Sequence, residues 1–147
     1  MSGQLINSEN NTVNMVHETR LLYNKTIWNN IYSEINNIYP EEWYGSVLYL
    51  GMGMCYNPLK QSNKITKTTI VEIDQRTIDF NKEVIKSEWI IICDDVYRFE
   101  PIEKYDFIFV DIWWEQVESY IVDNLIEKYG KYLTENGQIL HLKTIRK

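Results

Sequence analysis

The chain reads as an α/β protein: a doubly wound, mostly parallel five-stranded sheet preceded by N-terminal helices. Three observations predict this. Apolar runs at 46–50, 68–73, 89–93, 105–112 and 138–142 alternate with stretches of helical periodicity, the order expected of strand–helix–strand units. The runs at 89–93 and 107–110 are almost continuously apolar, as in strands covered by helices on both faces. The most distinctive polar residues and glycines fall just after these runs, where an open α/β sheet binds its ligands.

Each element has a local reason. Residues 1–12 are polar and rich in Asn and Ser, and are expected to form a flexible N-terminus ahead of a single domain over 13–147. Between 13 and 39, Tyr23, Ile27, Ile31, Ile35 and Ile38 recur at spacings of four and three, and Pro40 stops the helical pattern. Strand one is 46–50, followed by a helix or irregular turn over 58–64 and strand two at 68–73. A helix over 77–86 turns Ile78 and Ile85 inward, strand three is 89–93, and strand four is 105–112. A helix over 118–133 is expected to close at Asn136-Gly137, and strand five over 138–142 alternates more clearly.

Composition narrows the function classes. A length of 147 residues with 44% hydrophobic and 24% charged residues suits one globular domain with a real core. A net charge of −6 argues against nonspecific nucleic-acid binding, which needs clustered Lys and Arg. Cys55 and Cys93 lack metal-binding spacing and read as free thiols in a reducing compartment. No apolar run approaches the ~18 residues of a membrane span, and residues 1–8 lack the basic and apolar regions of a signal peptide. A cytoplasmic protein without a metal site or membrane partner is expected.

Four strand ends carry the chemistry: Gly51 and Gly53 after strand one, Glu72 and Asp74 after strand two, Asp94 and Asp95 after strand three, and Asp111 after strand four. A glycine turn lets backbone approach a ligand closely. A carboxylate about twenty residues further on can accept hydrogen bonds from a ribose diol. The pattern points to a nucleoside-containing cofactor. Tyr56 stands where a nicotinamide-binding fingerprint needs its third glycine, which counts against that cofactor.

The motifs Val47-Leu-Tyr-Leu-Gly-Met-Gly-Met, Val71-Glu-Ile-Asp, Cys93-Asp-Asp-Val-Tyr-Arg-Phe99 and Tyr105-Asp-Phe-Ile-Phe-Val-Asp-Ile112 together resemble the Rossmann-like, class I S-adenosylmethionine-dependent methyltransferase fold, and within it the spermidine-synthase-like branch. The resemblance covers roughly 47–144, in a short form lacking strands six and seven. It implies that Gly51 and Gly53 admit the methionine moiety and that Glu72 holds the ribose hydroxyls. It further implies that Asp95 faces the adenine amino group, that Val96 supplies an apolar contact to the ring, and that Asp111 is the catalytic residue beside the sulfonium carbon. Cys55 replaces the usual third glycine. Tyr49 replaces an acid common in methyltransferases, at a position where the spermidine-synthase-like branch is apolar. Asp111-Ile-Trp-Trp114 departs from the Asn/Asp-Pro-Pro-aromatic motif of amino-directed DNA methyltransferases.

The function so implied is S-adenosylmethionine binding, with methyl transfer to an unidentified acceptor. Aminopropyl transfer and a non-catalytic binding domain of the same fold are the alternatives. Plainer readings attach to several neighbours: Asp74 as a helix cap, Asp94 as a solvated residue, Asn57 bonding its own turn, His17 as solvated and His141 as structural. One of Trp113 and Trp114 is expected in the core and the other at the pocket mouth. Strand five is expected at a sheet edge, where a second copy of the chain could cover it.

Overall fold

The computed structural model describes residues 40–111 and 119–141. After a short 3-10 turn at Pro40–Glu42, the elements are β1 (Gly45–Leu50), α1 (Tyr56–Lys60), β2 (Ile65–Glu72), α2 (Gln75–Phe80), β3 (Ile90–Cys93), β4 (Tyr105–Val110), α3 (Ser119–Gly130) and β5 (Leu133–His141). The strands form one sheet in the order β3-β2-β1-β4-β5, and every neighbouring pair is parallel. From β1 the chain winds outward to β2 and β3, then returns to place β4 on the other side of β1. The reversal creates a switch point between β1 and β4, where a crevice opens at the carboxyl ends of the strands.

The alternation of side chains along β1 decides its place. Val47, Leu48, Tyr49 and Leu50 are all fully buried. Val47 and Tyr49 enter one core layer with Trp43, Ile70, Phe107 and Phe109. Leu48 and Leu50 enter the other with Val71, Ile108, Val110, Leu125 and Tyr129. A strand buried on both faces must lie inside the sheet, covered above and below. Trp43 stacks on Phe107, with ring centroids 5.3 Å apart and planes inclined by 10°.

The doubly wound sheet expected from the sequence is present, all parallel, with several boundaries displaced for identifiable reasons. β2 starts at Ile65 because parallel pairing with Gly45 and Ser46 extends the ladder into polar residues. β3 is an edge strand among the described residues, and Ile90 and Cys93 are exposed, so its apolar run does not mark burial on both faces. α2 runs only from Gln75 to Phe80, because the Asn81 side chain bonds the Thr77 carbonyl at 2.8 Å and turns follow at 81–84. α3 stops at Gly130, seven residues before the glycine expected to end it.

Asn136-Gly137 lies instead within β5, where the register against β4 shifts between Tyr105 and Phe107. A Cβ at Gly137 would stand 2.9 Å from the Tyr105 carbonyl, so this glycine serves close strand contact. β5 is the other edge of the sheet among the described residues, as expected. The expected N-terminus and helix over 1–39, His17, and Trp113 with Trp114 lie outside the described residues. Among those described, no helix is long and apolar enough to cross a membrane.

Candidate functional site

Gly51 and Gly53 do different jobs at the end of β1. The Gly51 N–H donates to the Val71 carbonyl at 2.8 Å, and the Asp111 N–H donates to the Leu50 carbonyl at 2.9 Å. Gly51 has φ +107°, and a Cβ there would stand 2.6 Å from the Asp111 carbonyl oxygen. Only glycine permits the ends of β1 and β4 to close this tightly. Gly53, at φ +53°, has no atom of the described residues within 4 Å of where its Cβ would be. Among the described residues it leaves room at the switch point, as a ligand approaching backbone requires.

Cys55 completes the loop in a left-handed conformation, φ 61° and ψ 28°, with its side chain fully buried. The position at which the resembling motif carries a third glycine therefore has glycine-like backbone. A non-glycine residue held there costs about 1–2 kcal/mol. Burial of the thiol in the layer of Trp43, Tyr49 and Met52 offsets that cost.

Glu72, the last residue of β2, is tied to this loop. One carboxylate oxygen accepts the Met52 N–H at 2.9 Å and the other accepts the Asp74 N–H at 3.0 Å. Burial pushes its carboxyl above the usual range, while the bonds from Met52 and Asp74 pull back and the Asp74 charge adds to the rise. Each oxygen keeps acceptor capacity beyond its one backbone bond. The carboxylate is thus half-buried, oriented by two amides, and able to take hydroxyl donors.

Asp74 follows its plainer reading as a cap. Its side chain accepts the Arg76 N–H at 2.9 Å and pairs with the Arg76 guanidinium at 2.7 Å. The hydrogen bond from the guanidinium is the main reason its carboxyl lies below the usual value. Between these two acids, Ile73 is 66% exposed, a large aliphatic side chain just beyond the last β2–β3 pair at Glu72 and Cys93.

The third strand end forms a compact turn. Asp94 donates its N–H to the Glu72 carbonyl at 3.1 Å and accepts the Asp95 N–H at 2.7 Å, so it organises the turn. Asp95 accepts the Tyr97 N–H on its side chain at 2.9 Å. Val96 has its side chain in the layer of Leu125 and Tyr129, 9% exposed. Among the described residues, that leaves Ile73 as the exposed aliphatic side chain at this rim. Asp111 is half-buried at the end of β4, and its charge is the second cause, after burial, of the raised Tyr49 hydroxyl. Tyr49 itself donates to Gln61 at 2.7 Å, which donates to Thr68 at 2.8 Å, a polar chain through the core.

Backbone and side-chain bonds therefore bring Gly51, Glu72 and Asp111 to one crevice, with Asp95 joined through Asp94. Sequence reading missed two residues here. Asn81 is fully buried and donates to the Gly53 carbonyl at 2.9 Å, bolting the glycine loop to α2. Its only signal was a poor helix former inside an expected helix. Ile73 gave the other signal, an apolar residue interrupting a pair of acids. Asn57 differs from its expected turn role: it lies inside α1, 2% exposed, and its side-chain oxygen has no hydrogen-bond partner among the described residues. Among the described residues no group of three or more His, Cys, Asp or Glu side chains could hold a metal ion.

No protein-family model matches the chain, and no curated protein matches it. Solved structures do. DhpI in complex with S-adenosylhomocysteine superposes with a TM-score of 0.68 at 14% identity, covering 87% of this chain and 63% of DhpI. The N-methyltransferase NodS from Bradyrhizobium japonicum WM9, with S-adenosylhomocysteine, gives 0.64 at 16% identity over 89% of this chain and 72% of NodS. The plantazolicin methyltransferase BpumL, with a pentazolic desmethylPZN analogue and S-adenosylhomocysteine, gives 0.59 at 17% over 86% and 50%. The chain spans about 60% of the length of the DhpI structures it matches. Its fold is the class I fold of these S-adenosylmethionine-dependent methyltransferases.

Proposed function

We propose that the chain binds S-adenosylmethionine at the carboxyl edge of its sheet and transfers the methyl group to an acceptor still to be identified. The observation that carries this reading is the bond from Met52 N–H to Glu72, which joins an open glycine loop to an oriented carboxylate at the switch point. The residues fit the cofactor. Gly53 leaves room for backbone approach, Glu72 accepts from a ribose diol, Asp95 accepts from an exocyclic amine, and Ile73 offers an apolar wall to a flat base.

When bound, S-adenosylmethionine supplies a sulfonium-activated methyl group. The protein then has to bind, orient and exclude water, which provide most of the rate in such transfers. Gly51 closes the crevice floor beneath Asp111, and Asp111 is positioned to orient or deprotonate an amine or hydroxyl acceptor. The spermidine-synthase-like branch, with aminopropyl transfer, is the second reading. It is favoured by Tyr49, wholly buried where many methyltransferases carry an acid. The thiols of Cys55 and Cys93, neither in a disulfide among the described residues, suit a reducing, cytoplasmic setting. A second copy covering the β5 edge belongs to the same proposal.

Calorimetry with S-adenosylhomocysteine and with NADH tests the site. Binding of the first and not the second supports it, and the reverse overturns it. Labelled methyl donor and decarboxylated donor, each incubated with cell extract, then separate methyl transfer, aminopropyl transfer and binding without transfer.

A further inference from the structure

The peptide unit between Val96 and Tyr97 is held from both ends. Its carbonyl accepts the Tyr129 hydroxyl at 2.5 Å and the Lys128 ammonium at 3.2 Å, both from α3. Its N–H donates to Asp95 Oδ1 at 2.9 Å. A peptide group is planar, with carbonyl and N–H pointing in opposite directions. Fixing the carbonyl therefore fixes the N–H, and with it the carboxylate that the N–H holds. Lys128 adds a bond to the next carbonyl, Tyr97, at 2.8 Å. The Asp95 carbonyl accepts the N–H groups of Arg98 at 2.8 Å and Phe99 at 2.9 Å, which close the turn behind it.

Tyr129 is fully buried beside Val96 and Leu125, so its hydroxyl is not a freely rotating surface donor. Asp95 Oδ2 has no partner among the described residues. It is the oxygen left to meet a ligand.

We propose that Tyr129, assisted by Lys128, is a positioning residue that aims the Asp95 carboxylate at the amino group of an adenine base. Preference for adenine over a 6-oxopurine is then set from α3, behind the rim that touches the ligand. This rests on the adenosyl site proposed above. A carboxylate only accepts hydrogen bonds, so it pairs with a 6-amino group and repels the 6-oxo group of hypoxanthine. The discrimination depends on where the oxygen points, and the clamped peptide decides that.

The test is the ratio of dissociation constants for S-inosylhomocysteine and S-adenosylhomocysteine, measured by calorimetry in the wild type, Tyr129→Phe, Lys128→Met and Leu125→Ala. Leu125 is buried on the same helix and makes no bond to the turn, so its variant reports loss of packing alone. Tyr129→Phe is expected to shrink the wild-type ratio about fivefold, the value of one hydrogen bond. Lys128→Met should shrink it about twofold, while Leu125→Ala lowers the melting temperature and leaves the ratio unchanged. An unchanged ratio in Tyr129→Phe, or an equal fall in Leu125→Ala, overturns the proposal. Should Tyr129→Phe fail to fold, Lys128→Met decides by the same criterion. A wild type that binds both ligands equally overturns the positioning role alone. One that binds neither overturns the adenosyl site itself.

Discussion

Replacing Glu72 with Gln separates what this side chain does for the fold from what it does for a ligand. In the native state its carboxylate accepts two backbone N–H bonds, at 2.9 and 3.0 Å. Such charge-assisted bonds contribute about 1.5–3 kcal/mol each. Yet its pKa is raised, because burial outweighs those bonds. The native state therefore holds the proton more tightly than the unfolded chain does. Glu72's contribution to stability is present below the unfolded pKa and is lost as pH rises through the raised native value. At neutral pH the charge is a net cost to folding.

Gln removes that cost and gives up one of the two bonds, since its amide nitrogen cannot accept from an N–H. The two changes are of similar size, so stability should move by no more than about 1 kcal/mol, a few degrees in melting temperature. A ribose diol would meanwhile lose its charged acceptor, weakening S-adenosylhomocysteine roughly tenfold to a hundredfold. Wild-type affinity should fall as pH drops through the raised Glu72 value, and the variant should lack that step. Thermal melts and calorimetry across pH provide both readings. A variant that unfolds, or one that binds S-adenosylhomocysteine as tightly as the wild type, would overturn these roles of Glu72.

Three further outcomes are expected. Gly51→Ala places a Cβ 2.6 Å from the Asp111 carbonyl at φ +107°, and should cost about 3 kcal/mol or more in denaturant unfolding, with loss of ligand binding. Cys55→Gly relieves about 1–2 kcal/mol of left-handed strain while losing thiol burial. It should therefore be at least as stable as Cys55→Ala, the reverse of the usual order, when the two are compared by chemical denaturation. Asp111→Asn should keep S-adenosylhomocysteine affinity within about threefold while abolishing labelled methyl transfer. Loss of binding with turnover per bound cofactor intact would place Asp111 with the cofactor instead.

Features that rest on neighbours along the chain are readable from residue order alone. The apolar runs of β1 and β4 are continuous because strands buried on both faces admit few polar residues, and that is visible without a partner strand. Gly51-Met52-Gly53 and the acids at 72, 94, 95 and 111 likewise stand at strand ends in any arrangement with these strands, so the crevice was legible as a set of residues. Its geometry was not. Periodicity says which face a side chain takes and nothing about which strand lies alongside, so it could not show that β3 is an edge among the described residues, with Ile90 exposed. Asn136-Gly137 looks like a helix stop locally, and only the approach of the Tyr105 carbonyl shows why the glycine is there. Asn81 bonds a carbonyl 28 residues away, and Tyr129 one 33 residues away. The raised carboxyl of Glu72 depends on burial that distant segments create. Such long-range contacts form only when the chain folds back on itself, and no local pattern of residue types encodes them.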